Sequence, residues 1–253
     1  KNEKLVNAVL RNILREKEKI TFNKFIYPEF KNILNRVFTS KSIKDYIYET
    51  IFEKPINYQV SLTNQNGTVY KKRVFLLDRE IKENCIVQDI ANYEVIDSTR
   101  HFFKDKNVLD ICAAPGGKSI LLHSHGFKLE CIDKSQNQIN KFKENLERLG
   151  LQINIKKKDF LKEKLSIKYN SILLDAPCSA LGTFRRNPDV IVKVGSSRIM
   201  KYQKNQMLIL EKSLKLLNKK GILVYIVCSF HPFETIDVID KVIQKHNNIK
   251  IHK

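Results

Sequence analysis

Two cysteines and an aspartate stand at the ends of two apolar runs. Asp175 closes the run SILLD and is followed closely by Cys178, and Cys228 closes the run GILVYIVC. An unpaired carboxylate is costly to bury, so an acid at the tip of an apolar strand indicates that the side chain is used. If the two runs are neighbouring strands of one sheet, both thiols and the acid face the same cleft.

Two thiols beside an acid suit the methylation of cytosine at carbon 5. A thiolate that adds to carbon 6 makes carbon 5 an enamine carbon, which can attack a sulfonium methyl group. A carboxylic acid at ring nitrogen 3, the role predicted for Asp175, would offset the charge that develops in the ring. A base must then remove the hydrogen from carbon 5 before the thiol can leave. These residue types do not decide whether Cys178 or Cys228 attacks, and a single buried cysteine is usually only a small hydrophobe.

A loop of small residues, AAPGGKS, follows the apolar run NVLDIC. Small residues let a ligand approach the backbone closely, with the N-terminus of the next helix facing it. The loop matches neither the GxGxxG pattern nor the GxxxxGK[ST] pattern of phosphate-binding loops. It therefore favours S-adenosylmethionine over NAD, although a loop with two adjacent glycines can also be no more than a tight turn.

Two further acids follow the next predicted strands. Asp133 lies 21 residues after Cys112 and ends the run KLECID, and Asp159 ends the strand after it. An acid at the end of the second strand can bind the two hydroxyls of a ribose, or it can cap the helix that begins there. The same two interpretations hold for Asp159. If both acids bind ligand, the ribose lies on Asp133 and the edge of an adenine lies near Asp159.

These residues are carried by alternating strands and helices. The sequence predicts strands over 107–112, 128–133, 153–159, 171–175 and 221–228, and helices ending near 126 and over 135–149, 198–218 and 233–246. Such alternation is typical of an α/β fold with a doubly wound parallel sheet, in which the ligand lies beyond the carboxyl ends of the strands. A sixth strand could begin at residue 248.

A small α+β region precedes the alternating part. An amphipathic stripe predicts a helix over 3–19, a second helical region is expected near 28–53, and residues 57–80 predict a hairpin around Asn66-Gly67. The chain begins inside a helical pattern without an initiator methionine, and it ends at what could be a strand. We therefore expect both ends of the sequence to be incomplete.

The charge of the chain points to a polyanionic partner. It has 46 basic and 27 acidic residues, a formal net charge of +19, and residues 101–253 alone contain 28 basic and 14 acidic residues. An excess of this size favours RNA or DNA as the partner. A lysine-rich proteome would give the same composition without any binding of nucleic acid.

Composition excludes several other classes of protein. The hydrophobic fraction of 42% is enough for a core, and 8 Gly and 6 Pro are too few for a collagen or a low-complexity chain. No apolar run approaches the roughly 20 residues that span a bilayer. Five cysteines without a CxxC pair or a histidine cluster indicate a reducing cytosol and no metal site. We expect a cytoplasmic monomer without membrane contact.

Six segments along the chain carry motifs specific enough to compare with a family. They are IVQD (86–89), VLDICAAPGGKS (108–119), CIDKS (131–135), KKDF (157–160), LLDAPCSALGTFRRNPD (173–189) and YIVCSFHPFE (225–234). Together they resemble the Sun/Nop family of RNA cytosine-5 methyltransferases, most of all its bacterial small-subunit ribosomal RNA methyltransferase B group. In addition, LVNAVLRNIL (5–14) is similar to the last helix of that group's NusB-like RNA-binding domain.

The resemblance implies a Rossmann-like class I methyltransferase sheet, S-adenosylmethionine as cofactor and a cytosine of 16S ribosomal RNA as substrate. The implied cofactor contacts are Cys112, Ala113, Ala114, Pro115, Gly116, Gly117, Lys118, Asp133, Asp159 and Asp175. Cys228 would be the nucleophile and Cys178 would assist release of the methylated base, although DNA cytosine-5 methyltransferases attack with a Pro-Cys cysteine. Arg185 and Arg186 would contact RNA or shape the pocket. There are two alternatives. The enzyme could act on tRNA, or the protein could be a catalytically weak RNA-binding factor in ribosome assembly.

The resemblance also divides the chain. Residues 1–20 would be the remnant of a helical RNA-binding domain, 21–84 a small helical and hairpin RNA-binding subdomain, and 85–253 the methyltransferase domain. Three positions depart from the family pattern: Val227 replaces a usual threonine, Gln138 replaces a common arginine, and Phe233-Glu234-Thr235 stands where an acid-acid-Asn run is usual. None of the three removes a residue that the expected chemistry requires.

Overall fold

The computed structural model describes residues 28–50, 53, 55–63, 73–77, 80–193, 195–246 and 248–252. The helix predicted over 3–19 and the turn predicted at Asn66-Gly67 lie outside these residues. Within the described part of the chain, no helix is long and apolar enough to cross a membrane. The same residues contain no group of His, Cys, Asp and Glu side chains suited to a metal ion.

The described elements begin with two helices and three short strands, and from Ile90 onward helices are interspersed with strands. They run in the order α1 (Pro28–Val37), α2 (Lys41–Thr50), β1 (Tyr58–Ser61), β2 (Val74–Leu76), β3 (Cys85–Val87), α3 (Ile90–Thr99), β4 (Asn107–Ile111), α4 (Gly117–Ser124), β5 (Lys128–Asp133), α5 (Gln136–Arg148), β6 (Asn154–Lys157), β7 (Tyr169–Asp175), α6 (Asp189–Lys193), α7 (Ser196–Lys215), β8 (Leu217–Ile226) and α8 (Ile236–Ile243). Short 3-10 helices cover Arg100–Phe102, Leu181–Thr183 and Pro232–Glu234.

Strands β4 to β8 form one parallel sheet in the order β6-β5-β4-β7-β8. The chain adds β5 and β6 on one side of β4 and then crosses over to add β7 and β8 on the other side. The strand order therefore reverses between β4 and β7, and open α/β sheets bind ligands at such a point, beyond the carboxyl ends of the strands. The predicted doubly wound parallel sheet is confirmed.

Helices cover both faces of this sheet. Neighbouring side chains on a strand point to opposite faces, so β4 contributes Val108 to one core and Leu109 to the other. Val108 packs in a cluster with residues of α4 and α5, such as Leu121 and Phe142. Leu109 packs in a cluster with residues of α7 and α8, such as Leu210. Burial on both faces explains why β4 and β7 are nearly continuous apolar runs in the sequence.

A small antiparallel sheet, in the order β2-β1-β3, packs beside α4. The antiparallel pairing of β1 with β2, predicted from the hairpin pattern, is confirmed. The buried Arg73 joins this sheet to the helix, because its guanidinium donates to the Ser61 carbonyl oxygen (2.8 Å) and to the Ser124 hydroxyl of α4 (2.8 Å).

Helices α1 and α2 pack against the loops that follow β7 and β8. Phe30 of α1 is fully buried, and its ring centroid lies 5.9 Å from that of Phe184 and 6.2 Å from that of Phe230. One apolar cluster thus connects the N-terminal helices with the carboxyl edge of the main sheet. The division of the chain at residues 20 and 84 remains a prediction.

Several element bounds differ from the predicted ones. The helical region expected near 28–53 is two helices, α1 and α2, and residues 248–252 form no strand. β8 begins at Leu217 rather than 221, because the polar segment NKK hides the start of this strand in the sequence. The helix expected over 233–246 is a 3-10 turn followed by α8, since Thr235 has non-helical dihedral angles (φ −115°, ψ −99°). β3 and α3 have no counterpart among the predicted elements.

Candidate functional site

The loop between β4 and α4 depends on a glycine. Gly116 has a φ of +96°, and a Cβ atom there would lie 2.1 Å from Cδ2 of Phe142, so no larger residue fits. The Gly116 amide donates to the Ala113 carbonyl oxygen (2.9 Å), which closes a tight turn before α4 begins at Gly117. The predicted cofactor loop, residues 112–118, therefore combines a fixed backbone path with little side-chain bulk, as a closely approaching ligand requires.

Asp133, at the end of β5, holds this loop in place. Its carboxylate accepts hydrogen bonds from the backbone amides of Ala114 (3.1 Å) and Ser135 (2.8 Å). Ala114 is joined to Pro115 by a cis peptide bond. The alternative role of Asp133 as the helix cap is wrong, because the N-cap of α5 is Ser135, whose hydroxyl accepts from the Gln138 amide.

An open groove lies beyond the carboxyl ends of β4, β5 and β6. It is lined by Cys112, Ile132, Asp133, Lys134, Lys158, Asp159, Phe160, Leu161, Pro177, Asn205 and Ile209. Of the predicted cofactor residues, Cys112, Asp133 and Asp159 line the groove, whereas the rest of the loop and Asp175 lie outside its lining. Acidic side chains and apolar walls meet here, and an adenosine offers the matching groups, two ribose hydroxyls and a flat base.

Asp159 follows β6 at the far side of this groove. Its carboxylate accepts a hydrogen bond from the Leu161 amide (3.2 Å) and lies 3.8 Å from the Lys162 ammonium. The side chain is 40% exposed. Asp159 therefore organises the turn after β6 and still faces solvent at the groove.

Lys118 and Asp175 form an ion pair at the point where the strand order reverses. Lys118 lies in the first turn of α4, Asp175 ends β7, and Nζ lies 2.6 Å from Oδ2. The lysine side chain is only 8% exposed. Burial lowers the pKa of Lys118, but Asp175, the Cys228 sulfur and Asp110 together outweigh burial, and the pKa is raised. The ammonium therefore stays charged and gives Asp175 a fixed cationic partner.

Sequence reasoning missed Asp110 in β4. The side chain is buried, its Oδ2 accepts a hydrogen bond from the Ser119 hydroxyl (2.6 Å), and its Oδ1 has no partner among the described residues. Burial raises the pKa of Asp110 to about 7. The one signal in the sequence is an acid within the apolar run NVLDIC. Because Asp110 is buried, it holds the first turn of α4 through Ser119 rather than facing a ligand.

Cys178 and Cys228 meet beyond the tips of β7 and β8. The two strands are paired, with Asp175 opposite Ile226, and the two thiols share a hydrogen bond. The pKa of Cys228 is lowered to about 7, first by the hydrogen bond from Cys178 and then by the charge of Lys118. The same hydrogen bond, together with burial, raises the pKa of Cys178. The proton of the pair therefore stays on Cys178, and the site can supply a Cys228 thiolate near neutral pH.

Arg185 and Arg186 lie in the loop after β7. Arg186 forms an ion pair with Asp89, and its charge also contributes to the lowered pKa of Cys228. Arg185 pairs with Glu53 at 3.3 Å. Arg186 therefore lies close to the cysteine pair, and Arg185 lies close to the segment that follows α2. Contact of either arginine with RNA remains a prediction.

Sequence reasoning also missed the role of Glu234. This carboxylate is fully buried and accepts hydrogen bonds from Ser179 and Ser229, the residues that follow the two cysteines. The sequence shows Glu234 only as the one acid of the motif YIVCSFHPFE, at the position where the family pattern has its acid-acid-Asn run.

Known proteins resemble this chain in sequence and in fold. Residues 101–253 match the family described as 16S rRNA methyltransferase RsmB/F. Ribosomal RNA small subunit methyltransferase B of Photorhabdus laumondii is 34% identical over 170 residues, which cover 65% of this chain and 39% of that protein. The probable ribosomal RNA small subunit methyltransferase B of Coxiella burnetii is 26% identical over 290 residues, which cover 98% of this chain and 67% of that protein.

A solved structure is also similar to this chain in sequence and in fold. The crystal structure of NSun6 from Pyrococcus horikoshii with SFG is 28% identical, with a TM-score of 0.59, and the match covers 70% of this chain and 49% of that one. The family match at 101–253 covers more than half of this chain and contains the whole parallel sheet, the Lys118–Asp175 pair and both cysteines of the cleft. The chain therefore belongs to the 16S rRNA methyltransferase RsmB/F family.

Proposed function

We propose that this protein transfers a methyl group from S-adenosylmethionine to carbon 5 of a cytosine in 16S ribosomal RNA, through a covalent bond between Cys228 and the base. The observation that carries the proposal is the meeting of Cys178, Cys228 and the Lys118–Asp175 pair at one edge of the sheet. A thiolate, a second thiol and an acid are the groups that this chemistry needs.

The groove fits the cofactor that the family implies. In this proposal Asp133 binds the ribose hydroxyls, Asp159 lies near the edge of the adenine, and Ile132 and Phe160 form the apolar walls. Loop 112–118 would contact the cofactor through its backbone atoms, since Gly116 carries no side chain and has no space for one. When bound, S-adenosylmethionine supplies an electrophilic methyl group. The presence of SFG, an analogue of S-adenosylmethionine, in the similar NSun6 structure supports this choice.

Cys228 is the proposed nucleophile. Its pKa of about 7 gives a substantial fraction of thiolate at neutral pH, and the thiolate adds to carbon 6 of the cytosine. The displaced electron pair moves into the ring, which makes carbon 5 nucleophilic. Ring nitrogen 3, where charge develops, is proposed to take up a proton through Asp175, and the Lys118 ammonium that is hydrogen-bonded to Asp175 replaces that proton.

Cys178 is proposed to act in release of the product. In the free protein its pKa is raised by the neighbouring Cys228 sulfur and by burial, so it keeps its proton. Once Cys228 is bonded to carbon 6, its sulfur is no longer a thiolate, and this cause of the raised pKa disappears. Cys178 can then lose its own proton to solvent, and its thiolate takes the carbon 5 hydrogen as a proton while the Cys228–carbon 6 bond breaks and its electron pair returns to the Cys228 sulfur.

The choice of RNA rests on the relatives and on charge. Both curated relatives are named for small-subunit ribosomal RNA, and residues 101–253 carry 28 basic against 14 acidic residues. Arg185 and Arg186 are proposed to contact this RNA or to shape the pocket. The proposed place of action is the cytoplasm, where ribosomal RNA is available.

The test is transfer of labelled methyl from S-adenosylmethionine to unmodified 16S ribosomal RNA, with the product identified by base analysis. Wild-type protein is expected to place the label in 5-methylcytosine, and Cys228→Ala should abolish both transfer and any covalent RNA adduct. Cys178→Ala should allow a covalent RNA adduct to accumulate, visible as a shifted band on a denaturing gel. Cys85→Ala, in β3 and outside the cleft, is the matched control and should transfer methyl like the wild type.

Three results would contradict the proposal. Normal turnover by Cys178→Ala with adduct accumulation in Cys228→Ala would reverse the roles of the two cysteines. Labelling of tRNA but not of 16S ribosomal RNA would change the substrate, and cofactor binding without transfer to either RNA would favour the RNA-binding assembly factor.

A further inference from the structure

Glu234 is a fully buried carboxylate surrounded by hydrogen-bond donors. Its oxygens accept bonds from the Ser179 amide (2.8 Å), the Ser179 hydroxyl (2.5 Å), the Ser229 hydroxyl (2.6 Å) and the Gln206 side-chain amide (3.2 Å). Among the described residues, no lysine or arginine forms an ion pair with it. A buried carboxylate is stable only where donors satisfy it, so these four contacts keep Glu234 in one position.

The two serines tie Glu234 to the two cysteines. Ser179 directly follows Cys178 and Ser229 directly follows Cys228. A single oxygen, Oε2 of Glu234, accepts from both hydroxyls, which themselves lie 3.3 Å apart. The loops after β7 and β8 are therefore clamped together immediately beside the thiol pair.

Helix α7 adds a third side to this clamp. The Gln206 side-chain amide, which is buried, donates both to Glu234 and to the Pro177 carbonyl oxygen (2.9 Å), one residue before Cys178. The Tyr225 hydroxyl donates to the Glu234 carbonyl oxygen (3.0 Å), which fixes the backbone at the same point. The position of Glu234 is thus determined by β8, by α7 and by both cysteine loops.

The charge of Glu234 acts unequally on the two thiols. It contributes to the raised pKa of Cys178, whereas the charged groups that act on Cys228 are Lys118, Asp175 and Arg186. Glu234 thereby helps to keep the proton on Cys178, in the position from which it bonds to the Cys228 sulfur.

We propose that Glu234 is a positioning residue that, through Ser179 and Ser229, holds the Cys178 thiol in hydrogen-bond contact with Cys228. The inference that this contact activates the nucleophile rests on the proposed function. The contact itself can be measured without RNA or cofactor, because the reactivity of a thiol reports its thiolate fraction.

The measurement is the rate at which iodoacetamide alkylates Cys228 as a function of pH, followed by mass spectrometry on the full chain. The wild-type midpoint is expected near the pKa of about 7. In Glu234→Gln the midpoint should move toward the ordinary thiol value of about 8.5, and alkylation at neutral pH should fall about tenfold. Ser229→Ala removes the hydrogen bond from the Ser229 hydroxyl to Glu234 and should shift the midpoint in the same direction.

Two further variants separate positioning from general stability. Ser213→Ala removes a buried hydroxyl that bonds only within α7, to the Ile209 carbonyl oxygen (2.8 Å), so its Cys228 midpoint should match the wild type. Glu234→Asp keeps the charge but shortens the reach, and it should recover part of the alkylation rate that Glu234→Gln loses. If Glu234 has only a structural role, Glu234→Gln should lower the thermal stability without changing the pH midpoint of Cys228 alkylation in the folded protein.

The outcomes are distinguishable. An unchanged midpoint in both Glu234→Gln and Ser229→Ala overturns the inference, and if Glu234→Gln does not fold, Ser229→Ala decides alone. If the midpoint of Cys228 alkylation shifts but the wild-type protein methylates no RNA, the positioning role of Glu234 is supported and the proposed function is wrong. Where methyl transfer is observed, Glu234→Gln should lower kcat while leaving the KM for S-adenosylmethionine unchanged.

Discussion

Four acids of the site are stabilised in different ways. Asp133 accepts two backbone amides, Asp175 pairs with Lys118, and Glu234 accepts four donors. Asp110 has a single hydroxyl donor and is the acid whose pKa is raised to about 7. A buried carboxylate with one donor is short of the contacts that would offset its desolvation.

Asp110 should therefore make the stability of the protein depend on pH. Its pKa in the folded state, about 7, lies above the unfolded value of about 4, so the folded state binds the proton more tightly. The free energy of unfolding then falls as the pH rises between these two values, by on the order of 2 kcal/mol between about pH 5 and about pH 8. Asp110→Asn cannot ionise and should lose much less stability over this range, as measured by urea unfolding.

The control for this prediction is Asp240→Asn, which changes an exposed acid on α8. It should keep the pH dependence of the wild type. If Asp110→Asn and the wild type lose stability in parallel, Asp110 is not the group that titrates.

At the scale of elements, the candidate site residues are concentrated at the carboxyl ends of β4 to β8 and in the loops that follow these strands. These loops are held by specific backbone contacts, such as the Asp133 carboxylate on the Ala114 amide and the Gly182 amide on the Cys228 carbonyl oxygen (3.0 Å). Parallel strands direct all of these ends to one edge. The path of each loop, and above all the turn at Gly116, then decides what can bind there.

Gly116→Ala tests the turn in the cofactor loop. The new Cβ would overlap the Phe142 ring, and the φ of +96° already strains any residue with a side chain. We expect a loss of about 1–3 kcal/mol beyond the cost of the φ angle alone, together with weaker binding of S-adenosylmethionine in calorimetry.

Gly150→Ala is the matched control for this substitution. Gly150 also has a positive φ, +61°, but nothing lies within 4 Å of the position that the alanine methyl group would take. This variant therefore carries the backbone cost alone, about 1 kcal/mol. Equal losses of stability in the two variants would show that the contact between residue 116 and the Phe142 ring is not important.

At the scale of the whole molecule, the N-terminal helices and the main sheet meet around one edge. Phe30 of α1 packs against Phe184 and Phe230, which belong to the two loops that carry the cysteines. The positive charge of residues 101–253 belongs to the same body. If RNA is the partner, as proposed, its binding should depend strongly on salt.

The salt dependence of RNA affinity tests this arrangement. The logarithm of the association constant should fall linearly with the logarithm of salt concentration, and Arg185→Gln should reduce the slope by about 0.7 if this arginine contacts a phosphate of single-stranded RNA. Lys128→Gln, an exposed change at the opposite, amino-terminal edge of the sheet, should leave the slope unchanged. Equal slopes for the wild type and Arg185→Gln would remove Arg185 from the interface.

The sequence by itself determined the kind of fold and most of the candidate residues. Periodic apolar runs, Gly116-Gly117 and the acids at strand ends are local patterns, and local patterns predict strands, turns and strand tips. The start of β8 was the weak point, because a strand that begins with a leucine followed by Asn and two lysines does not look apolar. Family motifs added the roles that residue chemistry left open between Cys178 and Cys228.

Only the tertiary structure decided how these groups act on one another. The pairing of β7 with β8 brings Cys178 to Cys228, and the lower pKa of Cys228 follows from this contact and from Lys118, which comes from a different helix. The same folding buries Asp110 and surrounds Glu234 with serines from two loops. Burial, hydrogen bonds and charge act through space between residues far apart in the chain, so the order of residues alone does not reveal which acid titrates or which thiol ionises.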